Sequence, residues 1–197
     1  MYSVTILVLL SLATLSSSQA TGLRGRAIVF FAQRNISGPF LVSGVLDFEQ
    51  DFFNLRVSSH ALFKYAHKIL INGSLRLMPG PHGFHVHERG DIGNGCSDAA
   101  AHYNPLGRVH GGPGEQFPTV RHVGDLGNIV TPATGVTMIN QTYRGLGLSG
   151  PFSILGRTIV VHENVDDLGR GRSPLSNTTG NAGGRVACGI IGRVVRP

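Results

Sequence analysis

His85 and His87 lie two residues apart in the run HGFHVHE, which reads as a β-strand, so both rings project from one face. Two imidazoles side by side repel when protonated and waste a buried face when merely structural; a shared metal ion resolves both difficulties. Downstream, His102, His110 and His122 are followed by Asp125, which puts three nitrogens and one oxygen in a single irregular stretch. That donor set suits tetrahedral Zn²⁺. His162, at the end of a further strand-like run, TIVVH, adds a fourth imidazole to His85, His87 and His102. An all-imidazole set favours copper over calcium or magnesium. No Cys or Met joins either group, which argues against a soft Cu(I)-storage site. Seven residues fill two four-ligand sites if one histidine serves both metals through its two ring nitrogens, and spacing alone does not say which one.

These side chains must be carried by a scaffold, and the chain offers short strands. Strand-like runs occupy residues 26–33, 40–49, 68–78, 82–88, 124–132, 134–141, 157–163 and 185–195, punctuated by Gly, Pro and Asn. Residues 89–121 and 164–184 are too rich in Gly, Pro, His and Asn for regular structure, and loops of that length in a compact domain are normally functional. There is no internal repeat. Eight short strands with two long loops predict an all-β fold, an eight-stranded antiparallel Greek-key barrel or sandwich of the immunoglobulin-like kind. The 197 residues are 41% hydrophobic and only 14% charged, which excludes a disordered chain. The 28 glycines follow no three-residue period, which excludes collagen.

The net charge of +6 comes from 17 basic and 11 acidic residues, and Lys64 and Lys68 are the only lysines. The arginines are scattered singly, with no basic run of the kind that binds nucleic acid. Residues 1–20 carry no charge, residues 4–15 form an apolar core, and Ser18-Gln19-Ala20 supplies small residues where a signal peptidase reads. The expectation is a signal peptide over 1–20 and one mature domain over 21–197. That apolar core is too short for a membrane span, and no later segment is long and apolar enough to be one. Four sequons, at Asn35, Asn72, Asn140 and Asn177, are candidate N-glycosylation sites on a secreted chain. In that oxidising setting Cys96 and Cys188 are expected to form one disulfide.

Five blocks, GFHVHERGD (83–91), NPLGRVHGGP (104–113), RHVGDLGN (121–128), VVHENVDDLG (160–169) and GNAGGRVACGIIG (180–192), resemble the copper/zinc superoxide dismutases, specifically a secreted member. They recur in family order with nearly family spacing over about residues 25–193.

The resemblance implies one copper per subunit on His85, His87, His102 and His162, and one zinc on His102, His110, His122 and Asp125, with His102 as the bridge. It implies that Asp166 links His85 to His110, that Arg185 stands beside copper, and that His82 is structural. Cys96 and Cys188 match the family disulfide, which ties a loop to the last strand. The implied activity is extracellular conversion of superoxide to dioxygen and hydrogen peroxide by Cu(II)/Cu(I) cycling, with His102 also moving a proton. A non-catalytic extracellular metal-binding module of the same fold is the alternative.

The chain departs from the family pattern in four places. Residues 170–179 lack the carboxylates that many members carry there, leaving Arg170 and Arg172. Arg89 and Arg193 occupy positions of the usual dimer contact, which predicts a weakened dimer and leaves other assembly open. Residues 52–66 form an insertion in which, or beside which, His60 and His67 are expected to be non-ligands. Residues 117–120 lengthen the zinc-bearing loop.

Overall fold

Alternating burial makes the strands of this chain and decides what each one faces. In the computed structural model, which describes residues 22–33, 41–51, 68–114 and 121–195, β1 (Leu23–Phe31) turns Ala27 and Val29 inward and Arg26 and Ile28 outward. β2 (Val42–Asp51) and β3 (Lys68–Arg76) repeat the pattern with Leu46 and Phe48, then Ile69, Ile71 and Leu75, as their inner residues. The chain continues through β4 (Gly80–His87), β5 (Asp125–Thr131), β6 (Val136–Arg144), β7 (Thr158–His162), β8 (Arg185–Ile190) and the two-residue β9 (Gly192–Arg193). Residues 1–20, expected to be a signal peptide, the Asn35 sequon, the expected insertion at 52–66 with its His60, the neighbouring His67, and residues 117–120 lie outside the described residues.

The strands pair in the order β5-β4-β7-β8-β1-β2-β3-β6, each pair antiparallel, with β9 on β1. The two terminal strands, β5 and β6, approach each other, and a 2.6 Å hydroxyl hydrogen bond between Thr131 and Thr137 joins them. The sheet is therefore a nearly closed barrel, and closure hides the polar edges that an open sheet would expose. Connections from β3 to β4 and from β6 to β7 join strands that are not neighbours, which gives the Greek-key order expected from the sequence.

β4 and β7 differ from the rest because both of their faces are covered. Phe84, Val86, Ile159 and Val161 fill the barrel, while His85, His87, Val160 and His162 point the other way, beneath the two long loops. The first loop docks on β4 through its backbone: Tyr103 N–H donates to Val86 O and Val86 N–H to Gly124 O, both at 2.8 Å. Gly124 is required there, because a Cβ would collide with the Val86 carbonyl.

Two details differ from the sequence expectation. The last run breaks at Ile191, whose N–H donates to Arg157 O and whose carbonyl accepts from Gly156 N–H, so β9 resumes separately on β1. The second loop carries a single helical turn, α1 (Ser176–Thr179), ended by Gly180 in the left-handed conformation at φ 64°. No helix among the described residues is long and apolar enough to cross a membrane.

Candidate metal centre

The outer faces of β4 and β7 and the first loop bring His85, His87, His102 and His162 together, all buried, with one ring nitrogen of each within 4.8 Å of the others. Their hydrogen bonds fix which nitrogen that is. His85 donates from Nε2 to Asp166 Oδ2 at 2.8 Å, which leaves Nδ1 bare. His87 donates from Nδ1 to the Ala100 carbonyl at 2.8 Å, and His162 from Nδ1 to the Gly183 carbonyl at 3.2 Å. Carbonyl oxygens only accept, so each Nε2 carries a lone pair, and the two face each other at 3.2 Å. Nδ1 of His85 and Nε2 of His102 are buried with no hydrogen-bond partner among the described residues. Four lone pairs thus converge in a dry place, which is costly unless a cation accepts them.

A second group forms around Asp125, at the start of β5. Its Oδ1 lies 2.8 Å from His102 Nδ1 and 3.1 Å from both His110 Nδ1 and His122 Nδ1. Its Oδ2 accepts the backbone N–H groups of Gly111 and His122 at 3.1 and 3.0 Å. His110 donates from Nε2 to Asp166 Oδ1 at 2.7 Å, which turns its Nδ1 toward Asp125. That nitrogen lies at an ion-pair distance of 3.1 Å from Asp125 without hydrogen-bond geometry. Separations of 2.8–3.1 Å approach the ~3.3 Å edge of a tetrahedron with ~2.0 Å metal–ligand bonds. Both donor sets fit a metal ion. His102 belongs to both, Nδ1 on the Asp125 side and Nε2 on the four-imidazole side.

Electrostatics favour the same arrangement. Burial, then the neighbouring rings of His102 and His162, pushes His85 and His87 well below the ordinary histidine value. Burial lowers His102 as well, and lowers His162 to about 4. Neutral imidazole is the form that binds metal. Burial alone would lower His110, but its close contacts with the Asp125 and Asp166 carboxylates outweigh burial and raise it to about 9. Burial would likewise raise Asp125, yet hydrogen bonds from His102, His110 and His122 hold its carboxyl far below the usual range. Without metal, a proton on His110 stands where a cation is wanted.

The surrounding contacts hold this geometry. Asp166 touches one histidine of each set, and Gly180 makes room for it, since a Cβ there would collide with Asp166 Oδ1 and His110 Nε2. Asn128 clamps the Asp166 backbone, accepting its N–H at 2.7 Å and donating to its carbonyl at 2.8 Å. Arg121 is buried and donates to the carbonyls of His122 and Asp125 at 3.0 and 2.8 Å. Sequence reasoning missed the roles of Asn128 and Arg121, although both stand in the block RHVGDLGN. Arg185, half-buried at the start of β8, donates to the carbonyls of Cys96, Ser97 and Ala100. It shares the Ala100 carbonyl with His87, and its charge helps depress His87 and His162. The Cys96–Cys188 disulfide is formed and ties the same stretch of loop to β8. His82 lies 2.8 Å from the carbonyls of His162 and Met78 and belongs to neither set.

The family model described as copper/zinc superoxide dismutase (SODC) matches residues 42–191. A Caenorhabditis elegans protein named extracellular superoxide dismutase (Cu-Zn) is 43% identical over 190 residues, covering 96% of this chain and 78% of the relative. A Haemonchus contortus protein of the same name is 47% identical over 171 residues, covering 86% of this chain and 84% of the relative. The crystal structure of the clock protein EA4 has a TM-score of 0.70 and 37% identity, covering 88% of this chain and 96% of that one. Sequence, barrel and paired donor sets thus lead to one conclusion: this chain belongs to the copper/zinc superoxide dismutase family.

Proposed function

We propose that this chain is a secreted enzyme that converts superoxide to dioxygen and hydrogen peroxide. In this reading residues 1–20 are a signal peptide and 21–197 the enzyme, in keeping with relatives named extracellular. Copper belongs on His85, His87, His102 and His162, and zinc on His102, His110, His122 and Asp125. The carrying observation is His102, with one ring nitrogen in each donor set and the outer one bare and buried.

Bound copper supplies one-electron exchange in both directions, and bound zinc holds charge without redox chemistry. The chain's own residues do the rest. With the metals bound, His102 would supply a proton to the reduced substrate from Nε2, a general-acid role. Asp166 keeps the Nε2 protons of His85 and His110 in place, which fixes the nitrogens that face the metals. Arg185, held by three carbonyls, presents a fixed cation to the incoming anion. Arg170 and Arg172, on a stretch of the second loop without carboxylates, support the same attraction at longer range.

Arg89 and Arg193 are both exposed in the single chain, and burying two arginines without acidic partners costs several kcal/mol. We therefore expect the usual family dimer to be weakened, which sedimentation tests directly. The function is tested by metal analysis coupled to superoxide consumption, on the unaltered chain and on His162→Ala. An active chain with one copper and one zinc, and an inactive variant short of copper, supports the proposal. Full metal loading without turnover would instead assign a binding module.

A further inference from the structure

The turn that holds Arg185 carries a charge that the metal chemistry does not use. Arg185 donates to the carbonyls of Cys96, Ser97 and Ala100, in and around the short 3-10 helix Ser97–Ala99. Ala100 holds φ 64°, a left-handed value that is costly for a residue with a Cβ, and its carbonyl also accepts from His87 Nδ1 at 2.8 Å. The guanidinium is thereby pinned to this turn.

Asp98 stands in the middle of the same turn. It directly follows Ser97, whose carbonyl is 3.2 Å from Arg185 Nη1, so chain geometry keeps its carboxylate within roughly 10 Å of the guanidinium. The side chain is exposed and lies against Gly93, where a Cβ would fall 2.5 Å from Asp98 Oδ2. No hydrogen bond or ion pair among the described residues engages that carboxylate, so its charge, rather than a contact, is what it contributes. That charge reaches Arg185 through space: burial lowers the pKa of the guanidinium and Asp98 raises it. On the second loop, residues 170–184 add Arg170 and Arg172 and no carboxylate.

We infer that Asp98 is a specificity-determining residue, a fixed negative charge that lets a monoanion reach Arg185 while disfavouring anions of higher charge. The repulsion scales with the charge of the incoming ion, so its free energy doubles for a dianion and the factor in affinity is squared. At roughly 10 Å in water that factor is about twofold for a monoanion such as superoxide, hence about fourfold for a dianion such as sulfate. Arg185, Arg170 and Arg172 alone would favour the dianion, because attraction scales with ligand charge in the same way. A repulsive group set beside an attractive one restores the preference for the smaller charge. The inference rests on the reading above in which Arg185 receives the substrate anion.

The test uses the metal-loaded chain with Asp98→Asn and Asp98→Glu beside it. Arg185 is labelled with phenylglyoxal, an uncharged reagent, and followed by peptide mass spectrometry while nitrate or sulfate protects it at matched ionic strength. Asp98→Asn is expected to strengthen protection by nitrate about twofold and by sulfate about fourfold. Asp98→Glu keeps the charge and is expected to keep both constants of the unaltered chain. Sulfate inhibition of superoxide consumption is expected to tighten by the same factor as sulfate protection in Asp98→Asn. Protection constants that do not move, or that move equally for nitrate and sulfate, overturn the inference and leave the enzymatic reading intact. Full metal loading without turnover, with the protection constants shifted as stated, overturns the enzymatic reading and supports the role of Asp98.

Discussion

Replacing Asp166 by Asn tests how one side chain fixes two metal sites. The carboxylate accepts from His85 Nε2 at 2.8 Å and from His110 Nε2 at 2.7 Å, and it also takes the Leu168 N–H at 2.7 Å. An amide keeps one acceptor oxygen and turns the other into a donor, so one of the two rings then faces N–H with N–H. That ring must move its proton to Nδ1, the atom that should bind metal. Loss of such an outer carboxylate typically costs 10–100-fold in metal affinity, or ~1.4–2.7 kcal/mol. The two sites should not suffer equally. Asp166 Oδ1 accepts two N–H groups, from His110 and Leu168, whereas Oδ2 accepts that of His85. The amide oxygen therefore takes the Oδ1 place, and the amide NH2 faces His85. The expected result is a fall of about 10–100-fold in copper affinity and less than about tenfold in zinc affinity. Competition titration against a chromophoric chelator measures both. Unchanged copper affinity, or a larger loss at zinc than at copper, would refute the reasoning.

Three other outcomes follow from the same geometry. The rate of superoxide consumption should fall as ionic strength rises, and Arg185→Gln or the pair Arg170→Gln with Arg172→Gln should lower the rate and flatten that slope; a rate indifferent to salt contradicts steering by these cations. Replacing Cys96 and Cys188 with Ser removes a link between residues 92 apart, worth up to ~4–5 kcal/mol by loop entropy, so calorimetry should show the melting temperature lower by roughly 10 °C or more. Because Arg185 rests on the Cys96 and Ser97 carbonyls, the same variant should lose activity with its metals still bound. In metal-free protein His162 is lowered to about 4, so the unfolded chain binds more protons between pH 6.5 and 4 and stability should drop as pH falls through that window. His110, raised to about 9, acts oppositely, and its contribution is present below pH 6.5 and lost as pH rises toward 9. Thermal midpoints of metal-free protein that are flat from pH 6.5 to 4 would contradict the neutral burial of these rings.

Much of this was legible because strands write their faces into sequence with a period of two. The spacing of His85 and His87 placed both rings on the side opposite Phe84 and Val86, and the eight strand-like runs match β1 to β8 with ends shifted by a few residues. Which histidine joins the two sets was not legible from spacing, because it depends on loop docking: His102 is placed by the backbone bonds of Tyr103 to β4 and to Gly124. Asn128 and Arg121 stayed hidden for a related reason. They act on main-chain groups of distant or neighbouring residues, and a carbonyl leaves no trace in residue type. The break at Ile191 was also invisible, since it arises from hydrogen bonds to Gly156 and Arg157 across the barrel end.

The sharing of His102 between the two sets is tested most directly by diffraction from crystals of the metal-loaded protein, with anomalous data collected at the copper and zinc absorption edges. The expected map shows one peak of each metal on opposite sides of the His102 ring, copper at Nε2 and zinc at Nδ1. Peaks that leave His102 bound to one metal alone, or the two metals exchanged between the sets, would contradict the central claim.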